Sequence, residues 1–89
     1  MNTSYLTAAD WEAFRLAYPR AAGFLDEMNL ASELMYLRGV VKPNLWQTSR
    51  LAELEEWQRA IYRLRLTAGM EVHPQTEADR RNYALAVSR

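Results

Sequence analysis

The chain has one histidine, His73, so any acid–base or metal chemistry that needs an imidazole must be built on it, with Glu71 or Asp79 as the carboxylate neighbour. One imidazole beside Pro74 is not a ligand set, because a metal site needs several donors converging on one point and the spacing brings none together. Ser4, Ser32, Ser49 and Ser88 carry hydroxyls, but a triad would have to recruit the same His73. Gly23, Gly39 and Gly69 lie too far apart to form a phosphate-binding loop. There is no cysteine, hence no disulfide framework and no thiolate metal site. These residue types predict no catalytic residue, no metal, no cofactor and no small-molecule substrate.

The remaining chemistry is that of binding. Ten of the eleven cations are arginine. Arg80 and Arg81 with Arg89, joined by Arg59, Arg63 and Arg65, form the set that would meet phosphates in a small nucleic-acid-binding regulator. Against that reading, Glu53, Glu55, Glu56, Glu77 and Asp79 are interleaved with them, and the whole chain balances at 11 acids and 11 bases. An ion-paired, solvated surface accounts for the pattern better, so nucleic acid stands as the alternative partner. Aromatic residues with arginine are the usual anchors of protein interfaces, which singles out Trp46, Arg59 and Tyr62, with Leu66 beside them, as interface candidates. For Trp46 two readings stay open: an interface anchor, or a ring folded under the preceding connection to close the core.

These residues need elements to hold them, and the elements are helical, because β-branched residues are too scattered to alternate as strands. Thr7 with Asp10 forms a capping signature, and Leu6 with Trp11 a hydrophobic staple, so the first helix begins at about Ala8, and Pro19 stops it or forces a turn. Its inward face is Trp11, Phe14 and Tyr18. A second helix is predicted from Pro19 to Arg38, with Gly39 as a left-handed cap. It carries two apolar faces, one of Phe24, Leu25, Met28, Ala31, Met35 and Tyr36, the other of Leu30, Leu34 and Leu37. Asn44 with Gln47 starts the third and longest helix, which ends near Ala68 before Gly69. Leu54, Trp57, Ile61, Leu64 and Ala68 form its seam, with Leu51, Tyr62 and Leu66 alongside, and Glu55 is placed to pair with Arg59. After a loop from Met70 to Gln75, Thr76 with Asp79 opens a short helix from Glu77 to about Val87, anchored by Tyr83 and Val87.

The expected fold is all-α, a compact bundle of three main helices plus a short C-terminal helix, as a single domain over residues 1–89. The second helix, apolar on two sides, is placed at its centre. The apolar arc of the third helix, roughly 200° wide, then exceeds what one chain can cover. That surplus predicts a homo-oligomer or a docking surface for another protein, and so a non-catalytic protein-binding module: a small adaptor, inhibitor or assembly factor. No segment approaches the roughly 18 apolar residues of a membrane span, and no basic leader precedes the first helix, so the expected location is the cytoplasm. The wealth of arginine and alanine is the composition of a GC-rich bacterial or phage genome.

Overall fold

A computed structural model describes residues 6–22 and 27–88. Four α-helices follow in order, α1 Ala8–Ala17, α2 Glu27–Arg38, α3 Leu45–Thr67 and α4 Glu77–Val87, with a 3-10 turn at Pro19–Ala21 between the first two. The fold is an all-α compact bundle of three main helices plus a short C-terminal helix, with no strand among the described residues.

Each predicted capping box is formed. Asp10 N donates to Thr7 Oγ1 at 3.1 Å while Thr7 N donates back to Asp10 Oδ2 at 3.0 Å. The same exchange links Asn44 with Gln47 at the start of α3 and Thr76 with Asp79 at the start of α4. Each pair satisfies donors that the first helical turn otherwise leaves unbonded. At the far end of α3, Gly69 takes φ +75°, and Met70 N donates to Arg65 O at 2.8 Å, closing the helix through a left-handed residue.

The segment expected to form one helix from Pro19 to Arg38 is divided. Tyr18 N closes α1 on Phe14 O at 2.9 Å, and the i→i+3 bonds from Ala21 N to Tyr18 O and from Ala22 N to Pro19 O wind a separate tight turn that buries Ala21 completely. Beyond it, α2 runs from Glu27 to Arg38 among the described residues, and Phe24 and Leu25 lie outside them. Gly39 is not left-handed either. Gly39 N bonds Tyr36 O and Val40 N bonds Leu37 O, so α2 ends by tightening into i→i+3 bonds that any residue can adopt.

The centre of the bundle is α3, not α2. The backbones of α1, α2 and α4 each approach α3 and not one another. Phe14 of α1 stands edge-on to Trp57 of α3 at 6.2 Å and to Trp11 at 5.8 Å. From α2, Leu30, Leu34 and Leu37 are buried in the same cluster as Leu54 and Ile61 of α3, with Leu51 and Leu64 packed at its margin. On the remaining side α4 buries Asn82 and Ala86, and Tyr83 stands edge-on to Tyr62 at 6.0 Å. Val87, expected as an anchor, is 52% exposed because the face of α4 turned to α3 runs through Asn82 and Ala86. Three neighbours consume the wide apolar arc of α3. The surplus that sequence reasoning assigned to α3 therefore lies elsewhere, and only Leu66 and Ala68 of its two stripes are exposed.

Candidate interaction surface

Where the charges go decides which surfaces are left. Arg38, at the end of α2, donates to both oxygens of Glu55, to Asp79 Oδ1 at 2.8 Å and to Gln58 Oε1 at 3.1 Å. Asn82 Nδ2 bonds Glu55 and Gln58, and Arg59 bonds Asn82 Oδ1, so α2, α3 and α4 share one half-buried polar network. Glu55 thus looks to Arg38 and Asn82 rather than to Arg59, the partner expected from helical spacing. Burial opposes ionisation of Glu55 and Asp79, but hydrogen bonds from Arg38, with Asn82 for Glu55 and Gln58 for Asp79, hold both carboxyls below their ordinary values. A second network joins Arg50 to Glu33 and Glu53, with Arg20 of the 3-10 turn also on Glu53. A third joins Arg65 near the end of α3 to Glu27 at the start of α2.

Those networks bear directly on the residues singled out above. Trp46 is 65% exposed, in the first turn of α3 beside Arg20 and Arg50. Tyr62, more than four turns along α3, is buried at 9%, and desolvation followed by the charge of Asp79 pushes its hydroxyl up to about 12. Arg59 is committed to Asn82, and Leu66 lies half exposed near the other end of α3. The structure does not bring these four together. Of the nucleic-acid set, Arg80, Arg81 and Arg63 are exposed, Arg59 and Arg65 are engaged internally, and Arg89 lies outside the described residues.

Between α2, α3 and the loop before α4 lies an open cleft of about 450 Å³, floored by Leu30 and Ile61 and rimmed by Glu27, Arg65, Glu71 and His73. Its rim is already paired: Glu27 with Arg65, and Glu71 with His73, whose Nε2 lies 2.9 Å from Glu71 Oε1. His73 is exposed, and among the described residues no group of three or more acidic or imidazole side chains is arranged to hold a metal.

The feature that sequence reasoning missed is the outer face of α2. Every charged residue of this helix, Glu27, Glu33 and Arg38, turns inward to an arginine or carboxylate of α3. What faces outward is Met28, Asn29, Ala31, Ser32, Met35 and Tyr36, without a single charge, and the two methionines and the tyrosine are 74%, 74% and 65% exposed. Val41 and Leu45 in the connection and start of α3 are 89% and 83% exposed. The signal was present in the sequence as two apolar faces on one helix. Periodicity could not tell which of them the chain would cover, because both are equally regular.

No family model matches this chain, and no curated protein or solved structure matches it significantly.

Proposed function

We propose that the protein is a non-catalytic, protein-binding helical module, and that it binds through the outer face of α2. The observation that carries this reading is the uncharged, methionine- and tyrosine-bearing surface of a helix whose own charges are all drawn inward. Water-exposed helix faces ordinarily carry charge. Exposed apolar surface of several hundred Å² is more typical of interaction sites than of free surface. Flexible methionines adapt to a partner's contour, and tyrosine is enriched among interface anchors. Arginine consumption argues against the phosphate-binding alternative, since five guanidiniums, Arg20, Arg38, Arg50, Arg59 and Arg65, are already bonded within the chain.

A photo-reactive amino acid placed at Met35, and as a control at Arg81, tests this in cells expressing the protein. Protein adducts at position 35 and few at 81 are the expected result. Nucleic-acid adducts at 81 with no protein captured at 35 would overturn the reading in favour of the nucleic-acid regulator.

A further inference from the structure

We infer that the partner seated on α2 is a second copy of this chain, paired α2 to α2 in antiparallel fashion about a two-fold axis that passes between Ala31 and Ser32. The inference rests on the protein-binding reading of the same face, and three observations specify the occupant.

The first is the internal order of the seam. Met28, Ala31, Ser32 and Met35 lie within about 100° of arc on α2, in the order large, small, small, large, spaced symmetrically about the point between Ala31 and Ser32. An antiparallel pair centred there sets Met28 of one copy against Met35 of the other, and Ala31 against Ser32. The small side chains at the crossing let two helix backbones approach to about 8 Å, while the methionines fill the space on either side. A two-fold interface has to be self-complementary in this way, since the same patch must serve both copies.

Charge is the second. A like-charged residue repeated across a two-fold axis repels itself, and the usual bar to self-pairing of an exposed helix is such a residue. On α2 the three ionic side chains are bound to Arg65, Arg50, Glu55 and Asp79 of the same chain, so the face that would meet its copy is neutral. A partner of strong charge would find no complement here.

Area is the third. Taking roughly 100 Å² for each aliphatic and 200 Å² for each aromatic side chain, scaled by exposure, Met28, Met35 and Tyr36 offer roughly 280 Å² of apolar surface on the outer face of α2. A standard interface buries about 800 Å² per partner, so this face suits a small, concentration-dependent pairing of two copies rather than a large permanent interface.

Sedimentation equilibrium of the full chain, from about 1 to 100 μM, tests the pairing with the parent and three variants. The parent should sediment as a dimer. M35E should weaken it by about thirtyfold or more, because a carboxylate would then be buried against methionine. The double variant M28K/M35E should regain the dimer, each introduced ammonium lying opposite the other copy's introduced carboxylate, and the regained fraction should fall as salt is raised. M28E/M35E should remain monomeric. Failure of M28K/M35E to regain the dimer, or recovery in M28E/M35E, would overturn the antiparallel register, and M35E dimerising like the parent would overturn the surface. Should a variant lose its helical circular dichroism, the mass of the parent still decides: a monomer at about 100 μM ends the proposal. If position 35 then captures a different protein in cells, self-pairing fails while the protein-binding reading stands.

Discussion

At the scale of single residues, the carboxylates that bind arginine make stability depend on acid in a definite direction. Glu53, Glu55 and Asp79 all ionise more readily in the fold than in a free chain. Their contribution is therefore complete above the unfolded carboxylate range and is lost as pH falls from about 5 through the lowered values. A thermal-melt series from pH 7 to 3 should show Tm falling below about pH 5, and the fall should be shallower in Glu55→Gln, which has no such proton to take up. Replacing Arg38 by Met strands two half-buried carboxylates. Its cost should be about 1 to 3 kcal/mol by denaturant titration, between the values for exposed and fully buried pairs. Tyr62 works in the opposite sense. Burial raises its hydroxyl to about 12, so its contribution is intact below about pH 10 and disappears between there and 12. Ultraviolet titration should show a tyrosine step near pH 12, and Tyr62→Phe should remove it.

At the scale of elements, helix starts were legible and helix neighbours were not. Thr7 with Asp10, Asn44 with Gln47 and Thr76 with Asp79 act over three residues, and a signal so local survives any tertiary arrangement. The packing of α2 is different in kind. Leu30, Leu34 and Leu37 match Met28, Met35 and Tyr36 in regularity, and which set is covered depends on α3, many residues away. For the same reason Trp46 could be read two ways, and Tyr62, an attractive anchor by type, turned out to lie beneath α4. The arginine networks were hidden too, because Arg38 finds Glu55 and Asp79 across 17 and 41 residues of chain. Two comparisons check these assignments. Leu34→Ala and Leu54→Ala should each cost about 2 to 5 kcal/mol, whereas Leu16→Ala, at a side chain 76% exposed, should change stability by no more than about 0.5 kcal/mol. Asp79 serves its capping box through Oδ2 and Arg38 and Gln58 through Oδ1, while Asp10 serves a box alone. Asp79→Ala should therefore destabilise more than Asp10→Ala, whose loss should be near the ~1 kcal/mol of a cap.

At the scale of the whole molecule, α3 is a hub to which the backbones of the other three helices attach, with α2 and α4 meeting each other through the side chains of Arg38 and Asp79, and the 44 Å long dimension reflects the 23-residue hub. Hydrogen exchange should report this directly, with the slowest amides between Leu54 and Tyr62, where α3 is covered by its neighbours, and faster exchange in α1 and in the last turn of α4. Equal protection in α1 and mid-α3 would contradict the hub. The division of labour on α2 has a different kind of consequence. Its three leucines and three ionic residues, which secure it to α3, share no position with Met28, Ala31, Ser32, Met35 and Tyr36. Two selective pressures can then act on one 12-residue helix without meeting: the inner set can stay fixed while the outer set drifts with no loss of foldedness. If the outer face binds as proposed, chains descended from a common ancestor would keep their architecture and diverge first in whom they recognise.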